Sequence, residues 1–443
     1  MVTGIIMPLA GWMFAVSLPT IRDSFGISAE VAAWIAIAFS LPFMILMPVY
    51  GRISDGLGKR RLILIGTAIF TIGSLFVITS TSLTTLLIGR VVQGLGIAGL
   101  LPLSLALITE AFPKDQRGKA MGLYSTVGPL TGVLGPILAG FVVARWGWRA
   151  AFGPPMIAAI ITLVVVSLAI PSVTRTINFA FLKSFDWGGV ALLSGALTSL
   201  LFFLSSRPIT GVAPLQDWRL FLSTVLFTLL FVWYEQRQAA PFINLDILRN
   251  HTLVLGSILA ALRMIGLSGG MGFLMPLYLA DVFNLTPTQT GFFLMVNPGA
   301  MSLVVRVAGG IADRWGSRIL VMSGFGIYSG VMFTFSQLTD QSPSWVLIVL
   351  YIVFGMGAGL MLASLHRAAL NDVPEDVVGI SSGVYSMIRF LGSTCGQAVG
   401  GILLQYFLDQ ANGTVAAYQN VFLWFGGFAV TGLLVATRLP KRN

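Results

Sequence analysis

The sequence predicts an all-α polytopic membrane protein, with two pseudo-symmetric six-helix bundles and two extra helices between them, about fourteen spans in all. Three observations predict this. The chain is 56% hydrophobic and only 9% charged, too little charge to clothe a soluble surface. Apolar runs of about 17–25 residues recur along its length, each long enough to cross the hydrocarbon core as a helix and none alternating as barrel strands do. Finally, the chain repeats itself.

The spans fall at roughly 2–20, 31–50, 62–80, 83–108, 119–143 and 151–170, then 187–206 and 219–234, then 252–280, 289–308, 319–337, 344–365, 379–405 and 418–437. An even number places both termini on one side. That side collects Arg52, Lys59, Arg60, Arg61, Lys114, Arg117, Lys119, Arg237, Arg249, Arg314, Arg318 and Arg367, whereas the opposite loops hold only Arg22, Arg145, Arg149, Arg207 and Arg219. Basic loops stay in the cytoplasm, so both termini are expected there, in a plasma membrane of the bacterial inner-membrane kind. The net charge of +10 is thus an orientation signal and does not imply nucleic acid as a partner. The first span begins almost at Met1 with no basic leader, so no cleavable signal is evident, and the abrupt start suggests a missing cytoplasmic leader.

The single cysteine, Cys395, excludes an internal disulfide and a cysteine metal cluster. No G-x-x-x-x-G-K-[ST] loop, HExxH motif or histidine cluster occurs. Neither an enzyme nor an ATP-driven pump is expected, and no cofactor or metal.

The repeat organises everything else. Gly51, Asp55, Gly58 and Arg60 in GRISDGLGKR recur as Gly309, Asp313, Gly316 and Arg318 in GGIADRWGSR, 258 residues later. PKDQRGKAMGLYS from Pro113 returns as PEDVVGISSGVYS from Pro374, and Gly94 and Gly96 as Gly355 and Gly357, both at 261. LPTIRDSFGIS from Leu18 tracks MPLYLADVFNLT from Met275. Residues 1–171 and 252–443 are therefore read as two six-helix copies and 172–251 as a two-helix insert. Copies with six helices enter from the same side, the parallel type of repeat found in transporters whose halves rock about a shared path.

The segment from Gly51 to Arg60 resembles the loop signature of the major facilitator superfamily. Arg90, Gln93, Gly94 and Gly96 resemble its second signature, and Gly122, Gly135, Pro136 and Gly140 its antiporter helix, with Thr131 and Ala139 where glycines are usual. The insert, FDWGG at Phe185 and WRAAF at Trp148 resemble its fourteen-helix drug/proton antiporter branch. The resemblance covers essentially the whole chain. It implies a monomeric secondary transporter of small amphipathic molecules working by alternating access, namely a proton-coupled multidrug-type exporter. An organic-anion or neutral-solute facilitator without proton antiport, or a sensor that no longer transports, are the rival readings.

Gly51, Asp55, Gly58, Lys59 and Arg60, with Gly309, Asp313, Gly316 and Arg318, are read as paired latches. Each aspartate would face the start of a helix in the other half, near Gly379 and Gly118, where the macrodipole favours an anion. Thr131, Gly135 and Ala139, matched by Gly392, Gly396 and Gly400, are small-residue ladders expected to pack at the seam between halves. Pro136, matched by Gln397, would bend the fifth span alone.

Arg90, Arg263, Arg306 and Arg389 lie inside spans, and none of their repeat counterparts is charged. An arginine at mid-bilayer costs about 2.5–3.5 kcal/mol on insertion scales, so each calls for a compensating role. Arg90 and Arg263 are placed at the cavity, with Gln93 beside Arg90. Arg389 is read as a seam residue or substrate contact, and Arg306 as snorkelling to the basic side. No acid falls near the centre of any span, and Ala10 stands where the branch commonly carries one. The cavity should therefore be positive and favour an anionic, zwitterionic or neutral amphipathic substrate. Glu110, Asp281 and His366 are the remaining candidates for carrying a proton.

Overall fold

The computed structural model describes residues 2–170, 185–239, 241–374, 377–410 and 413–440, and their side chains other than those of Asp55, Lys114 and Asp313. Numbered in chain order, the helices are α1 (Val2–Phe25), α2 (Ala29–Leu57), α3 (Lys59–Ile78), α4 (Leu83–Ile97 and Leu100–Ala111), α5 (Lys114–Ser125 and Val127–Ala150) and α6 (Gly153–Ala169). The insert supplies α7 (Trp187–Leu204) and α8 (Trp218–Glu235). The second copy supplies α9 (His251–Met264, Ile265–Leu274 and Met275–Asp281), α10 (Pro287–Leu294 and Val296–Trp315), α11 (Ser317–Phe335), α12 (Ser344–Leu370), α13 (Val378–Asp409) and α14 (Thr414–Ala436). Among the described residues thirteen helices are long and apolar enough to cross a membrane, and Gly153–Ala169 is a shorter apolar helix.

Side-chain caps start many of these helices where the chain re-enters the membrane. Ser28, Ser82, Asp217 and Asn250 each accept a hydrogen bond from a first-turn amide, and Thr286 forms a capping box with Gln289. Gly58 and Gly316 carry the positive φ (87° and 80°) that separates α2 from α3 and α10 from α11. The two signature stretches are thus helical almost throughout, with Gly51 and Gly309 inside α2 and α10 and a single glycine making each reversal.

The repeat reappears as contacts. In the first copy α1 packs on α5 and α6, α2 on α4, and α3 on α4 and α6. In the second, α9 packs on α13 and α14, α10 on α12, and α11 on α12 and α14. Even the close approaches correspond. A methyl on Gly94 would strike the Phe39 carbonyl, and one on Gly355 the Asn297 carbonyl; Gly96 meets Gly66 as Gly357 meets Gly324. Each equivalent pair obeys the offsets read from the sequence.

The copies join through α2 against α13 and α5 against α10. Here the small-residue ladders need correction. Gly135 lies against Trp12 of α1, while Gly392, Gly396 and Gly400 lie against Ala261, Ile265 and Leu274 of α9. These residues seat α5 on α1 and α13 on α9, inside each copy. The seams use neighbouring positions, roughly 100° around the same helices. Gly132 and Gly140 meet Pro298 and Pro287, Gly291 meets the Pro136 carbonyl, and Gly401 meets Ala29 and Ala33. In the insert, α7 packs on α8 and touches α2 and α13, leaving α8 mostly exposed.

Overpacking predicts a sharp contrast in stability. Gly355→Val should lower thermal stability in detergent by about 1–3 kcal/mol, because backbone opposes the new side chain. Gly118→Ala, with open space around it, should be neutral or stabilising. Equal melting temperatures for the two variants would contradict the close approach.

Candidate functional site: a cavity between the two copies

The two copies enclose a cavity of about 1340 Å³. Trp12, Phe14, Phe39 and Arg90 line it from the first copy, and Met271, Asn297, Arg306, Tyr351, Phe390 and Gln397 from the second. Among the described residues no Asp or Glu borders it.

It opens toward the basic loops. Gly122 and Ser125, near that end of α5, are exposed and border it. Gly118, Gly122 and Gly128 of α5, Gly309 and Gly310 of α10, and Gly379 and Gly383 of α13 have nothing within 4 Å of where a Cβ would sit. The copies therefore stand apart at this end.

The opposite end is sealed. Arg22 of α1 donates Nη1 and Nη2 to Asp281 of α9, 2.6 Å each, and the Tyr418 hydroxyl donates to the same carboxylate at 2.6 Å. Beside it Arg207 pairs with Asp409, and Gln405 of α13 accepts the Ala29 amide of α2. Ser205 donates to buried Glu30 and accepts from Trp34 Nε1. Phe25 packs on Trp148, which is how WRAAF enters the seal.

Arg90 is 2% exposed. Its guanidinium lies 4.6 Å from the Phe14 ring and 4.4 Å from Phe39. Nε donates to the Ile35 carbonyl and Nη1 to Gln93 Oε1, while Gln93 Nε2 donates to Ser74. Gln93 thus aims the arginine. Among the described residues no acid pairs with it. Ring faces and two neutral oxygens stabilise the charge, cation–π contacts contributing about 0.5–2 kcal/mol each. Among the described residues the other Nη makes no hydrogen bond, which leaves it available to an anion.

The remaining predicted residues are placed differently. Arg263, 3% exposed, donates to the Ala358 carbonyl of α12 and does not border the cavity. The expectation that it faces the cavity is corrected: its face turns into the second copy. Arg389 lies over the Phe390 ring and also stands back from the cavity. Arg306, assigned to snorkelling, is exposed at the mouth and does border it. Glu110 is half-exposed and paired with Lys59, and Asp281 belongs to the seal. His366 meets Tyr385 edge-on at 5.4 Å and does not border the cavity.

In the latch segments, Arg60 donates to the Ser167 carbonyl and Arg52 to those of Pro241 and Phe242. Arg318 stands in the first turn of α11. The Asp55 and Asp313 side chains lie outside the described residues. Of the antiporter-helix positions, Gly122 borders the mouth, Gly135 meets Trp12, and Pro136 and Gly140 meet α10.

Two features were missed. Ile265–Leu274 is a π-helical stretch, and its Ser268, Met271, Gly272 and Phe273 form one wall; the widened turn suits a working helix. Its run of glycines was a visible signal. Glu30 was not singled out, and Arg22 only as a base of the opposite loops, because only the tertiary fold supplies their partners.

A helical bundle of two equivalent halves around a one-sided polar-and-aromatic cavity defines a membrane transporter. The Major Facilitator Superfamily model matches residues 1–396, and the chain belongs to that superfamily: it is a transporter, not an enzyme. It is 28% identical over 392 residues to the riboflavin transporter RibZ of Clostridioides difficile, covering 88% of this chain and 83% of that protein. It is 29% identical over 399 residues to the multidrug resistance protein Stp of Mycobacterium tuberculosis, covering 89% and 72%. The crystal structure of the peptide transporter POT in complex with sulfate superposes with a TM-score of 0.71 at 15% identity, covering 98% and 92%. That last likeness shows the fold alone.

Charge-assisted hydrogen bonds are worth about 1.5–3 kcal/mol each, so Arg22→Ala should raise the outer-open population roughly tenfold or more. Spin labels at Ser82→Cys and Gln341→Cys, in a Cys395→Ser background, should then show a longer outer-end distance component by double electron–electron resonance. An unchanged distance distribution would remove the clasp from the account.

Proposed function

We propose that the chain is an exporter of small amphipathic molecules, anionic or neutral and aromatic, driven by proton exchange. It sits in a bacterial plasma membrane, as a monomer with both termini in the cytoplasm. Residues 1–171 and 252–443 act as the rocking halves and 172–251 as the insert. The observation that carries the substrate class is the acid-free cavity bordered by Arg90, whose charge is dispersed over phenylalanine faces with one Nη unbonded. A carboxylate docking there gains a charge-assisted hydrogen bond, and an aromatic body gains Trp12, Phe39, Tyr351 and Phe390. A lipophilic cation meets two arginines and no counter-charge.

The opening toward the basic loops supports a carrier waiting for cytoplasmic substrate. Loading would release the outer seal and draw the basic ends together. That closure would bring Asp55 toward the start of α13 and Asp313 toward the start of α5, where unpaired amides attract them. The printed names of RibZ and Stp, one a riboflavin transporter and one a multidrug resistance protein, fit planar, drug-sized cargo. A second reading, an anion facilitator without proton exchange, is favoured by the lack of a bordering carboxylate.

Energised everted vesicles distinguish these readings. Organic anions, and not lipophilic cations, should dissipate the pH gradient, with dissipation falling about tenfold or more in Arg90→Ala and much less in Arg263→Ala. Anion counterflow with the gradient intact would favour the facilitator. Cation-specific dissipation indifferent to Arg90 would overturn the substrate class.

A further inference from the structure

The insert holds the most unusual carboxylates in the molecule, remote from the cavity. Asp186 precedes α7 and Glu235 ends α8, both at the basic end, and they are 8% and 3% exposed. They converge on one point, because a methyl on Gly189 would collide with both Glu235 Oε1 and Asp186 Oδ2. Gly188 is similarly hemmed by the Tyr234 hydroxyl. These contacts account for both glycines of FDWGG.

The two acids are not equivalent. Asp186 is fully engaged, Oδ1 accepting the Gly189 amide at 2.8 Å and Oδ2 the Phe242 amide at 3.0 Å. Both Glu235 oxygens are buried and, among the described residues, make no hydrogen bond of ordinary geometry, although the Ile243 and Phe242 amides lie toward them. The charged and titratable groups facing the pair are Arg52 from α2 and Tyr234 from α8. Arg52 is committed to the Pro241 and Phe242 carbonyls, and Arg237 is turned onto Trp233. Among the described residues no cation bridges the carboxyls. Two buried carboxyl groups that converge on one point favour holding a proton over carrying two charges.

We infer that Asp186 and Glu235 form a proton-binding site, with one proton taken from the basic-side water and held between the two carboxyl groups. The bond made is O–H on Glu235, directed to Asp186, and nothing else is consumed. Its position gives it a consequence. The Phe242 amide binds Asp186 while the Phe242 carbonyl binds Arg52 of the signature stretch, so the proton fastens the segment at Phe242 and the insert to α2. Since α2 forms one seam, proton occupancy is communicated to the joint between the halves. This inference stands independently of what the cavity carries.

The test is pH-titrated infrared difference spectroscopy on the full-length protein in lipid nanodiscs, reading the C=O stretch of protonated carboxyl groups. The wild type should show such a band at neutral pH that Glu235→Gln abolishes. With the like charge removed, Asp186→Asn should move its titration at least about one pH unit lower. Glu30→Gln, run in parallel, assigns any band from the other buried glutamate. A band set indifferent to both Glu235→Gln and Asp186→Asn would overturn the proposal. So would a Glu235 band displaced by sodium or potassium at constant pH, since the site would then hold a metal cation.

Discussion

At the seams of the sealed end, α2 meets α13 and α5 meets α10 so closely that glycine is opposed to backbone. Gly291 fits against the Pro136 carbonyl, Gly140 against that of Pro287, and Gly401 against Ala29. Lipid offers no hydrophobic drive to bring helices together, so contact must come from packing and from polar links that hydrocarbon cannot replace. The seams supply the packing and the Arg22–Asp281–Tyr418 clasp supplies the links. Everything on the basic side follows. With the outer end drawn shut, the same rigid copies diverge below it, and the cavity is the space their divergence leaves.

That space has a definite electrostatic character. A membrane-embedded arginine usually finds an acid, but Arg90 finds two phenylalanine faces, the Ile35 carbonyl and Gln93. The arrangement keeps a positive potential on the cavity wall without exposing a hydrated charge. Arg306 adds a second cation at the mouth. Acids are present in the molecule but elsewhere: in the seal as Glu30, Asp281 and Asp409, at the basic rim as Glu110, and in the insert as Asp186 and Glu235. The acids of the described residues are thus spatially separate from the cavity wall.

How much of this the sequence disclosed depended on whether an interaction was local. Span positions follow from apolar length, and the duplicated packing follows from paired glycines such as Gly94 and Gly355, whose contacts Phe39 and Asn297 are themselves related by the other repeat offset. Arg90 and Gln93 were legible because they lie one turn apart on a helix with a known inward face. Arg263 shows the limit: its depth could be counted, but its face depended on a helix that turns π one residue pair later, at Ile265. The ladders failed for the same reason, as one residue of helix phase separates Gly400, against α9, from Gly401, against α2. Partners hundreds of residues apart, Arg22 with Asp281 and Glu30 with Ser205, leave no mark in sequence periodicity.

The central claim is that an acid-free wall centred on Arg90 decides what the cavity accepts. Equilibrium binding to the purified protein tests it most directly, using quenching of intrinsic tryptophan fluorescence, Trp12 among the emitters, by one planar aromatic scaffold carrying a carboxylate, an amide or an ammonium group. The account predicts that the carboxylate binds tightest and the ammonium weakest, and that Arg90→Ala erases the carboxylate's advantage while leaving amide binding nearly unchanged. Tightest binding of the ammonium form, or an order of affinities untouched by Arg90→Ala, would contradict it.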